Sequence, residues 1–141
     1  MIEEWRSIKD FEGLYEVSNL GRIRSLERIV SDKNGKRTRI FKGRILSDIC
    51  SSTGYHFVSL HKNLKRVARR TVHRLVMETF HPNENTLEIV DHINGIRDDN
   101  RLENLRWTSY TTNNRNTPYI RYLQGLLKKN KIYYVGEQDW K

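Results

Sequence analysis

The stretch from Leu87 to Arg115 constrains the fold more than any other part of the chain. A short apolar run, Leu87 to Val90, ends on an acid and an imidazole side by side, Asp91-His92. Asn94-Gly95 follows, a dipeptide that reverses a chain sharply because both residues tolerate positive φ. After a polar loop a second run returns with Leu105 and Trp107, and Thr108 or Ser109 can cap a short helix carrying Asn113 and Arg115. The order is strand, loop, strand, helix. It brings one carboxylate, one imidazole and several carboxamides within reach of each other. Adjacent side chains on a strand face opposite ways, so Asp91 and His92 do different jobs unless the backbone bends there.

The rest of the chain bounds what such a site serves. At 141 residues and 36% hydrophobic content, the length suits one compact domain with a modest core. No stretch approaches the roughly 18 apolar residues of a membrane helix. Met1-Ile2-Glu3-Glu4-Trp5 lacks the basic start and apolar centre of a secretory signal. A single cysteine, Cys50, excludes an internal disulfide and a multi-cysteine zinc site. A cytoplasmic protein is the simplest reading. Lys plus Arg number 26 against 17 Asp plus Glu, a formal net charge of +9. Such an excess favours a polyanionic partner, since phosphate contacts release condensed counterions, although a basic soluble protein with no such role has the same composition.

Charge placement sharpens this. Leu14 to Val17 suits a short strand, Ser18-Asn19-Leu20-Gly21 a turn, and Arg22-Ile23-Arg24 a second strand with both arginines on one face. Ser31 to Thr38 reads as a polar loop and Arg39 to Leu46 as a strand containing Arg44. Ser51 to Gly54 is a turn cluster, and Tyr55 to Leu60 a strand. Lys62-Asn63 then turns the chain into Lys65, Arg66, Arg69 and Arg70. Basic residues on successive hairpins suit a DNA-facing sheet, because phosphate contacts position a protein and β-ribbons enter the major groove. Thr71 is a reasonable N-cap. Val72, Leu75, Val76 and Phe80 share one helical face, with Pro82 as a stop. His73 and Arg74 leave that stripe, towards a phosphate or towards water.

Phosphodiester hydrolysis needs a cation against the scissile phosphate and a base that activates water. Oxygen ligands suit Mg²⁺, and an imidazole suits the base near neutral pH. Asp91 beside His92 supplies both. Taken singly, an Asp-His pair is ordinarily a surface or structural pair, Asn-Gly a turn, and Asn104 or Asn113 a loop or cap residue. Their joint spacing sets them apart.

That spacing, Asp91-His92-Ile93-Asn94-Gly95, Arg97 to Asn100, Leu102 to Trp107 and Asn113, resembles the HNH nuclease motif of the ββα-metal class. Val72-His73-Arg74-Leu75-Val76 and Phe80-His81-Pro82 resemble what usually precedes it. Trp5 to Ile8 and Phe11 to Ser25 resemble the modular DNA-contacting domain ahead of HNH domains in homing endonucleases. The resemblance implies Asp91 and Asn113 as metal ligands, His92 as general base, and Asn104 as the brace that holds the loop and orients His92. Asn113 rather than Asn114 rests on spacing, and Asn stands where many HNH nucleases carry His, as in the homing branch.

The expected architecture is α+β: an N-terminal antiparallel β-sheet DNA-binding module (residues 1–70), a ββα-metal nuclease core with its preceding helix (71–117), and a short C-terminal helix or arm (118–141). The expected activity is hydrolysis of double-stranded DNA with Mg²⁺, or Mn²⁺ in its place: a monomer nicks, cutting both strands requires a dimer or a second event, and the resemblance implies a phage- or intron-encoded homing enzyme. Expected phosphate contacts are Arg22, Arg24, Arg44, Lys62, Lys65, Arg66, Arg69, Arg70, Arg74, Arg97 and Arg115. His73 is an additional candidate. Arg97 and Arg101 also lie near enough to Asp98, Asp99 and Glu103 to pair with them. The competing readings are a DNA-binding protein without catalysis, and an RNA-binding sheet, which lacks a spaced aromatic pair for base stacking.

Overall fold

The computed structural model of the chain describes residues 1–63, 65–84 and 86–115, together with Tyr122, Gly125 and Leu126. Its strands in chain order are β1 (Trp5–Ser7), β2 (Tyr15–Ser18), β3 (Ile23–Ser25), β4 (Arg28–Ser31), β5 (Thr38–Phe41), β6 (Arg44–Ile45), β7 (Ile49–Cys50), β8 (His56–Lys62) and β9 (Lys65–Thr71), then β10 (Ile89–His92) and β11 (Leu105–Thr108). Helix α1 (Val72–Phe80) precedes β10, a 3-10 turn at Leu102–Asn104 precedes β11, and α2 (Tyr110–Arg115) follows it. The fold is α+β. The helix expected over Tyr119 to Lys129 lies outside the described residues except at Tyr122, Gly125 and Leu126, which are helical, and the strand or arm at Ile132 to Val135 lies wholly outside them.

Every paired strand is antiparallel, in a four-stranded sheet of order β1-β2-β3-β6, a three-stranded sheet β7-β8-β9, and the two-stranded hairpins β4-β5 and β10-β11. The single strand expected over Arg39 to Leu46 is therefore two strands in different sheets. Gly43 separates them where the chain presses on its neighbour: a Cβ there would lie 2.7 Å from the Ser25 carbonyl oxygen. Only a residue without a side chain passes so close.

Helix α1 anchors the whole. Val72, Leu75, Val76, Met77 and Phe80 are its buried face. Each such side chain stabilises the fold by about 1.5–3 kcal/mol when fully buried. They meet Ile8, Phe11, Tyr15, Val17 and Ile23 from the N-terminal strands, Val58 and Leu60 from β8, and Val90 and Leu105 from the β10-β11 hairpin in one continuous cluster. The N-terminal strands and the β10-β11 hairpin thus share a single core. Thr71 occupies the N-cap position with extended backbone, φ −75° and ψ 139°, but its side chain makes no cap bond; it is still the last ladder residue of β9, paired with Phe57. The helix ends where the His81 N–H closes on the Met77 carbonyl and Pro82 offers no further donor.

Candidate active site

The hairpin β10-β11 places the acid and the imidazole. Its register pairs Val90 with Trp107, Asp91 with Arg106 and His92 with Leu105. Burial alternates along β10, with Val90 and His92 inward. No bend brings Asp91 onto the His92 face. Asp91 Oδ2 accepts two hydrogen bonds from Arg106, from Nε at 3.1 Å and Nη2 at 2.9 Å. His92 is only 3% exposed. Its Nε2 lies 2.9 Å from Asn100 Oδ1. That amide oxygen can only accept, so Nε2 carries the proton and the lone pair is left on Nδ1. Burial, the largest influence, lowers the His92 pKa and Arg97 adds to this; the Asn100 bond and the charges of Asp91 and Asp99 oppose it. The ring is therefore neutral near pH 7, the state a base needs.

The loop between the strands has no ladder partners and is held by side-chain amides instead. Asn104, fully buried, accepts the Asn94 N–H on Oδ1 at 3.1 Å, and its Nδ2 donates to Asn94 Oδ1 and to the Asp99 carbonyl, both at 2.9 Å. Asn94 donates in turn to Asp99 Oδ2 and accepts the Ile96 N–H. Arg101 closes the outside, bonding Asp99 and Glu103. Asn104 thus braces the loop, as the resemblance implies, while the side chain bonded directly to His92 is Asn100. Nothing in the sequence pattern singles out Asn100; only its place in the loop does.

Two further rings stack beside His92. His73, in the first turn of α1, has its ring centroid 5.2 Å from that of His92, and Tyr55 lies 5.1 Å from His73 and 6.0 Å from His92. Burial pushes the His73 imidazole down to about 4, helped by the neighbouring His92 and Arg74. Its Nδ1 is enclosed without a protein hydrogen-bond partner. Arg97 lies 4.8 Å over the Tyr55 ring and donates from Nη1 to the Thr53 carbonyl. His73 is thus gathered into the site, and Tyr55 is a wall of it that sequence reading missed.

The donor chemistry suits a hard cation. Among the described residues no three His, Cys, Asp or Glu side chains cluster as a metal centre. An ion here would rest on the Asp91 carboxylate, the Asn113 carboxamide and oxygens of water or substrate, the incomplete ligand set that Mg²⁺ commonly accepts. Asn113 is half-buried on α2, one turn beyond Ser109, whose Oγ caps that helix by accepting the Thr112 N–H at 3.1 Å.

Comparison with known proteins identifies the family. The NUMOD4 motif matches residues 3–61, and the HNH endonuclease family matches residues 70–115. A solved structure of the HNH homing endonuclease I-HmuI, concerned with that enzyme's DNA binding and cleavage, superposes with a TM-score of 0.65 at 34% identity, over 90% of this chain and 68% of that one. The chain belongs to the HNH endonuclease family. As a family member it is also 37% identical over 134 residues to DNA endonuclease I-HmuI of Bacillus phage SP01, covering 95% of this chain and 66% of the relative. An uncharacterized HNH endonuclease, L245, of Acanthamoeba polyphaga mimivirus is 34% identical over 113 residues, 80% of this chain and 29% of that protein. The chain therefore spans just under two thirds of the phage relative and under a third of the mimivirus one.

This HNH family member keeps its expected phosphate contacts in several different states. Arg22 bonds Glu3, with Nε at 2.9 Å, and Arg24 bonds Glu16 at 2.7 Å while lying 4.2 Å over the Trp5 ring. Arg70 points under its sheet to Glu78, which also accepts from Arg74. Lys62 and Arg69 lie over Phe11 and Phe57 at 4.7 and 3.4 Å. Lys65, Arg66 and Arg44 are exposed. Exposed ion pairs are worth about 0–1 kcal/mol, so Arg22 can exchange its carboxylate for a phosphate at little cost. Arg24 and Arg70, each in a half-buried pair, are less suited to do so. The Arg115 side chain lies outside what is described. The β4-β5 hairpin adds Arg28 and Arg39, with Arg37 in its turn, and the sequence reads its middle, Ser31 to Thr38, as loop.

Proposed function

We propose that this protein is a metal-dependent DNA endonuclease that nicks double-stranded DNA at a specific site, in the manner of phage or intron homing enzymes, within the cytoplasm of a host cell. The observation that carries the reading is the His92 imidazole. It is buried and neutral, its Nε2 proton is committed to Asn100, and its basic Nδ1 is left for a water molecule. Residues 1–70 serve as the DNA-binding module and 71–117 as the nuclease core.

In the reaction His92 Nδ1 takes a proton from water as the water oxygen bonds to phosphorus. The P–O3′ bond breaks, leaving a 5′-phosphate and a 3′-oxyanion that takes a proton from solvent water to become the 3′-hydroxyl. Asn100 keeps the ring in the reactive tautomer throughout, and Asn104 holds the loop that carries Asn100. Asp91 and Asn113 would hold Mg²⁺, or Mn²⁺ in its place; when bound, the ion supplies charge stabilisation for the scissile phosphate and the leaving oxygen. Lys65, Arg66 and the N-terminal arginines position the backbone. One site cuts one strand, so a monomer nicks and a double-strand break requires a dimer or a second event.

The test is incubation with supercoiled plasmid and a panel of neighbouring genomic DNA, with Mg²⁺ or Mn²⁺, beside EDTA and His92→Ala controls. Metal-dependent open circles lost in His92→Ala are the expected result. Direct linearisation would mean paired sites. Salt-sensitive binding with no cleavage of any substrate would make this a binding protein.

A further inference from the structure

The turn between β2 and β3 touches the residue that holds His92. Gly21 has φ +82°, and a Cβ on it would lie 2.8 Å from both the Cβ and the carbonyl oxygen of Asn100. Beside this contact the Asn19 carbonyl accepts the Leu102 N–H at 2.8 Å. The turn is itself rigid. Asn19, buried, accepts the Glu4 N–H at 2.9 Å and donates to the Ile2 carbonyl at 3.1 Å, and Ser18 Oγ accepts the N–H groups of Leu20 and Arg22. A second contact comes from the β7-β8 turn, where the Arg97 side chain lies 3.4 Å from the Cβ position of Gly54 and bonds the Thr53 carbonyl.

We propose that the Asn19–Gly21 turn of the N-terminal module is a positioning element of the nuclease site, setting His92 through Asn100. The proposal rests on the reading of His92 as the general base. Close-packed interiors transmit displacement instead of absorbing it. A side chain at Gly21 must push the Asn100 backbone away, and the amide oxygen moves with it. The N-terminal module then does more than bind DNA: without its turn the base has no fixed tautomer.

The experiment compares Gly21→Ala with Gly13→Ala, Asn19→Ala and Asn100→Ala. Gly13 has φ +75° with nothing within 4 Å of a Cβ position, so it reproduces the backbone strain without the contact. Asn19→Ala loosens the turn without adding an atom, and serves if Gly21→Ala does not fold. The first readout is the ¹⁵N spectrum of the His92 ring in metal-free protein. It should show a protonated Nε2 in the wild type and Gly13→Ala, and averaged nitrogens in Gly21→Ala, Asn19→Ala and Asn100→Ala. The second is nicking kinetics. Gly21→Ala should lose about 100-fold in kcat, the cost of roughly 1 Å of misplacement, with KM unchanged. Asn19→Ala should lose less in the same direction, and Gly21→Ala should add little to Asn100→Ala. An unchanged His92 spectrum in both Gly21→Ala and Asn19→Ala, or equal losses in Gly21→Ala and Gly13→Ala, overturns the proposal. Because the spectrum needs no cleavage, a wild type that never cuts DNA refutes the nuclease reading while leaving the coupling to be decided by the ring.

Discussion

The hairpins β4-β5 and β10-β11 are the same object in backbone terms, two four-residue antiparallel strands in uninterrupted register. Their surroundings are opposite. On β4-β5 the facing pair Ile29 and Ile40 is 71% and 66% exposed, and every residue of β5 is open to solvent. On β10-β11, Val90, His92, Leu105 and Thr108 are buried, against the core that α1 organises and beside a loop closed by amides. An isolated two-stranded hairpin is marginal in water. The ladder therefore does not make the second hairpin rigid; the helix and the Asn94–Asn104 knot do. The rigid hairpin can hold a reactive group to a fraction of an ångström. The exposed one, with Arg39 and the apolar Ile29 and Ile40 open to solvent, is suited to adapt to a partner's surface.

Substitutions can break this contrast. The largest effect belongs to the rigid hairpin: His92→Ala should lower kcat by about 10²–10⁴ with DNA affinity retained, whereas Arg39→Ala should alter affinity and leave kcat unchanged. Single-turnover nicking beside a binding titration separates the two. Next, Asn104→Ala leaves the buried Asn94 N–H and the Asp99 carbonyl without partners and should cost about 3 kcal/mol by urea denaturation. Ile29→Ala on the exposed hairpin should stay within about 0.5 kcal/mol. Equal losses would mean that the ladder, and not the knot, carries the stability.

A smaller effect follows from the buried rings. His73 titrates near 6.5 when unfolded and at about 4 in the fold. The unfolded chain therefore binds the extra proton first, and stability should fall as pH drops from 6.5 towards 4 and level off below it. His73→Leu should reduce that dependence in thermal melts taken across the window, and the buried His92, shifted the same way, should account for what remains. Smallest of all, Lys65→Ala or Arg66→Ala should each reduce the slope of log affinity against log salt by about 1. Arg70→Ala should leave that slope alone, because its guanidinium is already spent on Glu78.

How much of this could be read beforehand depends on the range of the contacts. The α1 stripe of Val72, Leu75, Val76 and Phe80 is legible because helical period is local. The motif that names Asp91, His92, Asn104 and Asn113 is legible as spacing. The strands β1, β4 and β7 are too short to show a period, and the break at Gly43 comes from a neighbouring strand's carbonyl. Arg70 looks like Lys65 and Arg66 in sequence, yet Glu78 on the neighbouring helix claims it.

The sequence by itself determined the secondary elements of the core, the order of the motif and the excess of positive charge, since each is a property of neighbours along the chain. Only the tertiary structure decided that Asn100 accepts from His92, that His73 and Tyr55 stack beside it, and that Gly21 leaves no room for a side chain against Asn100. Those contacts join elements far apart in the chain, and they exist because α1 draws the N-terminal strands and the β10-β11 hairpin onto one hydrophobic core.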